Sequence, residues 1–221
     1  MDTRISFERL LLAFVLFITA MICCRVYYSG STAFLFLLWN IFLAWVPFTV
    51  SRSMLKYRQH KFKGYLLFAI WLLFFPNALY IITDLVHLEL ETTVPKWFDA
   101  ILLFSSSILG LMMAFVSFYR AENFLEQKIN HRYLQPLMML VLFISSFGVY
   151  LGRFLRWNSW DIISNPAGLL SAVFQRVFFP WEHLRTWTIT LLLTMLFYLL
   201  YMAIKKLPGC INRATSEENY V

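Results

Sequence analysis

The stretch PNALYIITDLVHLELE, residues 76–91, holds the side chains best suited to chemistry in this chain. Asn77, Tyr80, Asp84, His87 and Glu91 recur at intervals of 3, 4, 3 and 4, the spacing that lines residues up on one face of an α-helix. Asp84, His87 and Glu91 on successive turns could converge on one divalent cation, or serve as catalytic acid–base groups, because carboxylate and imidazole both ligate metals and carry protons. Asn77 and Tyr80 extend the stripe with groups able to hold a substrate. The same stripe would serve as well as a polar seam between helices, and a lone histidine of this kind is more often a hydrogen-bonded structural residue.

A second stretch, SFGVYLGRFLRWNSWD, spans residues 146–161. Ser146, Tyr150, Arg153 and Trp157 repeat the 4, 3, 4 spacing, and Arg156 lies on a neighbouring face. The forked donors of Arg153 and Arg156 suit phosphate or carboxylate, and with Asn158 and Asp161 they form the candidate substrate-binding set. Alternatively, the arginines pair with Asp84, Glu91 or Asp99 across a helix interface, and Trp157 and Trp160 are belt aromatics. Asp84, Glu89, Glu91 and Asp99 outweigh Lys96 in one loop, while Arg153, Arg156, Arg176 and Arg185 outweigh Asp161 and Glu182 in another. This opposition of sign predicts contact between the two loops. His183, beside Glu182, is the natural extra metal ligand, with a helix-end capping role as its plainer reading. Asn40 reads as an interhelical hydrogen-bond residue, and Ser105, Ser106, Ser107, Gly110 and Ala114 as a close-packing surface.

The elements that position these groups are membrane helices. Of 221 residues, 60% are hydrophobic and 14% charged, against about 25% charged in soluble domains. Apolar runs of spanning length appear at about residues 7–24, 32–50, 64–82, 98–119, 134–152 and 184–204. The reading is an all-α bundle of six transmembrane helices in one domain, residues 1–207, followed by a polar tail, 208–221, expected to be disordered. Residues 162–181 are cut by Asn165-Pro166 and Pro180, too short a run to span, and read as an interfacial or re-entrant helix with an Asn cap and a first-turn proline. Thirteen of the nineteen Lys and Arg residues fall on the side of the termini, which the positive-inside rule places in the cytoplasm. The formal charge of +7 is spread beside apolar runs and forms no nucleic-acid surface; membrane lipids are the expected partners. Cys23, Cys24 and Cys210 lack the spacing of a disulfide or zinc site.

The patterns PNA-YI-TDL-HL and YLGRF-R-NSWD resemble a bacterial family of multi-pass membrane proteins catalogued only as a domain of unknown function. Leu79 stands where that family commonly has proline, which touches the kink and not the ionisable residues. The resemblance implies a several-span helical bundle in the bacterial plasma membrane and supplies no reaction. Two function classes follow from the residues. One is an enzyme acting on an anionic lipid or envelope precursor at the extracytoplasmic face, with a divalent metal as its candidate cofactor. The other is a non-catalytic membrane assembly or partner protein. A transporter is less favoured, because ionisable residues are scarce near the middle of the spans.

Overall fold

The computed structural model describes residues 6–57, 59–89 and 93–218, and every regular element among them is helical. Two compact units divide the chain, residues 1–130 and 131–221.

Among its described residues the first unit holds four α-helices and one 3₁₀ segment. α1 (Phe7–Ser29) starts where the Ser6 side chain accepts from the Arg9 amide at 3.3 Å, and it ends at Gly30, whose φ of 67° is the left-handed stop. α2 (Phe36–Lys56) contains Pro47. α3 (Lys61–Tyr80) contains Pro76 and passes directly into a 3₁₀ segment, Ile81–Glu89. α4 (Lys96–Glu126) is the spine: it touches α1, α2, α3 and the 3₁₀ segment, while α2 also packs along α3. Large aromatics fill the space between α3 and α4. Trp71 and Phe75, both fully buried, stack on each other at 4.5 Å between ring centroids, and Phe75 stacks on Phe118 at 5.5 Å. Elsewhere in the same seam Phe68 stacks on Phe124.

Gly110 brings α4 close to the end of α3. A Cβ there would lie 3.1 Å from the Ala78 carbonyl oxygen and 2.9 Å from Ile81 Cδ1. One turn earlier on α4, the Ser107 hydroxyl lies between the Leu103 carbonyl of its own helix, at 2.8 Å, and the Ile81 carbonyl, at 3.3 Å, either of which can take its one hydrogen. The small-residue surface read from Ser105 to Ala114 thus seats the junction at which α-helix becomes 3₁₀ helix.

The second unit begins with α5 (His131–Leu155), turns through the short α6 (Asp161–Ser164) into α7 (Pro166–Phe178), and returns by a 3₁₀ turn, Pro180–His183, into α8 (Leu184–Glu218). α5 and α8 pack together. Trp187 of α8 stacks with both Phe143 and Phe147 of α5, with ring centroids at 6.1 and 5.6 Å.

Among the described residues five helical stretches are long and apolar enough to cross a membrane: Phe7–Ser29, Lys61–Glu89, Lys96–Glu126, His131–Leu155 and Pro180–Cys210. The chain is a membrane helical bundle. Six apolar runs reach spanning length in the sequence, and the difference is α2. Its 21 residues suffice in length, but Asn40, Pro47, Ser51 and Arg52 dilute its apolar character. α7, at 13 residues, reaches about 20 Å and falls well short of the roughly 30 Å hydrocarbon core.

Candidate functional site

The polar stripe after Pro76 is not one α-helical face. Asn77 and Tyr80 lie in α3, whereas Asp84 and His87 lie in the 3₁₀ segment, where three residues make a turn and positions three apart eclipse. Asp84 and His87 therefore stand one above the other. Nine residues is a long run for this helix type, and such runs tend to occur at functional hinges. Short side-chain bonds accompany the change: Asn77 Nδ2 donates to the Phe74 carbonyl at 3.1 Å, and the Thr83 hydroxyl to the Tyr80 carbonyl at 2.6 Å.

Asp84 is wholly buried. Asn40 of α2 donates to its Oδ2 at 2.8 Å, so the interhelical hydrogen bond read for Asn40 exists and ends on the candidate carboxylate. His87 is half-buried, with Nδ1 3.0 Å from the Asp84 carbonyl oxygen. A carbonyl only accepts, so Nδ1 carries the hydrogen, and the neutral ring keeps its lone pair on Nε2. Phe36 of α2 packs on the imidazole at 4.7 Å.

Through Phe36 the layer continues to a second buried pair. Phe36 meets Phe34 at 5.9 Å, and the guanidinium of Arg25 lies 3.8 Å over the Phe34 ring. Arg25, in α1, grips Asp99, in the first turn of α4, with Nε to Oδ1 at 2.7 Å and Nη2 to Oδ2 at 3.1 Å. Both residues are buried, and Arg25 Nη1 is enclosed without a hydrogen-bond partner. Four helical segments, α1, α2, the 3₁₀ segment and α4, are thus tied by one set of charged and aromatic side chains.

Arg25 stands outside the candidates read from the sequence because it lies just beyond the first apolar run, which ends at Cys24. The usable signal is a full charge directly continuous with a span, which needs a partner wherever it is buried. The sequence offers Asp99 only as a partner for Arg153 or Arg156; its partner in the first unit is Arg25.

The expectation of a metal site is not supported. Among the described residues no group of three or more His, Cys, Asp or Glu side chains could hold an ion. The local reasons are visible: Asn40 engages the Asp84 carboxylate, and the His87 Nδ1 turns back to the backbone. Glu91 lies outside the described residues, and His183 sits in the second unit, in the turn that opens α8.

In the second unit the 146–161 stretch builds a corner. Tyr150 is buried and stacks on Phe154 at 5.0 Å. Arg153 is half-buried in the last turn of α5. Arg156, just past the helix, has φ of 60°, the left-handed conformation in which glycine is usual. The Trp157 amide then reaches back over the end of α5 to the Leu151 carbonyl at 3.2 Å, so the left-handed residue closes the helix with a wide turn. The Asp161 carboxylate accepts from the Asn158 amide at 2.6 Å and from the Ser164 hydroxyl at 2.8 Å. These bonds favour the ionised form and hold its pKa below the usual value. Asn158 and Asp161, expected to hold substrate, are seen here making the turn into α6.

A family model described as Protein of unknown function (DUF1361) matches residues 39–200. No curated protein and no solved structure matches the chain.

Proposed function

The chain belongs to that family, and from this premise and the buried layer we propose that it is a non-catalytic partner or assembly protein of the bacterial plasma membrane. In this reading the chain crosses the membrane six times, with α2 as the sixth span, both termini lie in the cytoplasm, and the polar layer sits toward the extracytoplasmic face. One observation carries the proposal. Both carboxylates of the layer are enclosed and engaged, Asp84 by Asn40 and Asp99 by the fork of Arg25. Buried polar groups so arranged fix which helix faces which and at what register, since a wrong arrangement strands a charge in an apolar environment.

The test compares Asn40→Ala, Asp84→Asn and His87→Ala in the full-length chain by thermal unfolding in detergent. A structural layer predicts that Asn40→Ala and Asp84→Asn lose about 1.5–3 kcal/mol, the range for a buried hydrogen bond to a charged group. Unchanged unfolding midpoints in both variants would remove the proposal.

A second reading rests on His87. Its ring is half-buried, its tautomer is fixed by the Asp84 carbonyl, and the lone pair on Nε2 can accept a proton. An enzyme acting on a lipid or envelope precursor would use His87 as acid–base group, with Arg153 and Arg156 holding an anionic head group. His87→Ala would then keep the parent's stability and change which membrane lipid or precursor accumulates in cells, measured by lipid mass spectrometry. An unchanged lipid profile counts against this enzyme.

A further inference from the structure

The second unit carries an apolar helix face, on α7, that neither reading uses. α7 has no buried residue, and its ends are complete: the Asn165 side chain accepts from the Gly168 amide at 3.1 Å, and the Phe179 amide returns to the Gln175 carbonyl at 2.9 Å. One side of the helix, with Leu169, Ala172, Val173 and Arg176, is half-buried. Trp187 of α8 fastens that side by donating Nε1 to the Arg176 carbonyl at 3.1 Å. The opposite side is apolar and open, with Leu170 68%, Phe174 53%, Val177 49% and Phe178 63% exposed. Phe174 and Phe178 stack at 4.1 Å and, with their neighbours, line a groove of about 440 Å³.

Position in the fold says what covers this face. α7 joins the end of α5 to the start of α8, two spans that pack together, so it lies where both leave the hydrocarbon. Trp181, 84% exposed, follows it, and tryptophan is favoured at that depth. Basic groups flank the helix. Trp157 packs against Gly168, where an added Cβ would sit 2.9 Å from the indole, and this places exposed Arg156 beside the first turn of α7. At the other end exposed Arg185 opens α8, its guanidinium 4.8 Å over the Phe154 ring.

We propose that α7 is an interfacial docking helix for anionic phospholipid: acyl chains cover Leu170, Phe174, Val177 and Phe178, and Arg156 and Arg185 each bind a lipid phosphate at the rim of that face. An apolar face of this width binds by area, and the cations add attraction to anionic headgroups. The left-handed backbone at Arg156 also gains a reason, because glycine would fit the turn and carry no charge.

The test uses the full-length chain in nanodiscs, with Cys23, Cys24 and Cys210 replaced by serine and a nitroxide placed in turn at residues 170, 174 and 178. In discs containing phosphatidylglycerol the labels should collide more often with oxygen than with a water-soluble nickel chelate. Free access of the chelate would overturn the proposal, because the face would be solvated. Protection from both quenchers would also overturn it, since protein would then cover the face. In detergent, added phosphatidylglycerol should raise the unfolding midpoint more than phosphatidylcholine or inorganic phosphate does. Arg156→Gln with Arg185→Gln should abolish that excess. An equal response to all three additives, or an excess that survives the double substitution, would overturn the headgroup assignment. If the double variant does not fold, Arg185→Gln alone supplies this arm, and an undiminished excess overturns it.

Discussion

Replacing Asp99 by asparagine keeps the side chain's shape and removes the charge facing Arg25. It breaks a two-point ion pair with N–O distances of 2.7 and 3.1 Å, between side chains only 1% and 6% exposed. Water cannot take the carboxylate's place, and Arg25 Nη1 already lacks a partner. Stripping one member from a buried pair costs about 3–5 kcal/mol, and Asp99 in the first turn of α4 also gives up a favourable helix-dipole interaction of about 0.3–1 kcal/mol. At about 2–4 °C per kcal/mol for a chain of this size, the unfolding midpoint should fall by roughly 10 °C. Arg25→Met should fall as far or further, because it also removes the cation from the Phe34 ring, worth about 0.5–2 kcal/mol. The double variant Arg25→Met with Asp99→Leu should recover most of either loss, since apolar replacement of a whole buried pair is commonly neutral or stabilising by about 1–4 kcal/mol. Thermal unfolding in detergent, read by loss of monodisperse protein, measures all three. Single variants within about 0.5 kcal/mol of the parent, the ordinary scatter of surface substitutions, would refute the claim that this pair locks α1 to α4.

Gly110→Ala should lose about 1–3 kcal/mol, the usual cost of overpacking, because its Cβ meets the Ala78 carbonyl at 3.1 Å; unfolding in detergent checks this. Arg156→Gly should raise stability by up to about 1 kcal/mol in the same assay, as left-handed backbone is costly for residues with a Cβ. Asn165→Ala should lose about 1 kcal/mol through its cap, read as faster amide exchange at Gly168. The folded Asp161 carboxyl titrates below its ordinary value of 3.8, so its contribution is complete above that value and lost as pH falls through the lower folded one. Protection of the Asn158 amide, its exchange measured against the intrinsic rate at each pH, should be lost only in that acidic window, whereas Asp161→Asn should lose it at neutral pH as well.

Composition and apolar run length make the membrane bundle legible, and Asn165-Pro166 marks the start of α7 through local chemistry alone. The change of helix type after Tyr80 is not legible. Periods of 3.6 and 3.0 put Asp84 and His87 on nearly the same side over one turn, and they diverge only along the longer stripe toward Asn77 and Glu91. Nor can local pattern find Arg25–Asp99, whose members are 74 residues apart. Asn40 is legible as a hydrogen-bonding residue but not by partner, because one amide on a helix names no acceptor. Its cost to α2 is visible instead in hydropathy: the residue that satisfies Asp84 also helps leave α2 outside the five candidate spans among the described residues.

The corner from Tyr150 to Asp161 shows how to separate folding demands from functional ones. Tyr150 stacks on Phe154, Trp157 fills the space left by Gly168, and Asp161 closes the turn; each residue type follows from the shape it makes. Arg156 does not follow from shape. At φ of 60° glycine would cost less, and the guanidinium is exposed just past the end of α5, one of the helices long and apolar enough to cross a membrane. A residue that strains the backbone and leaves its charge outward calls for a contact outside the chain, and the lipid phosphate of the proposed docking helix supplies one.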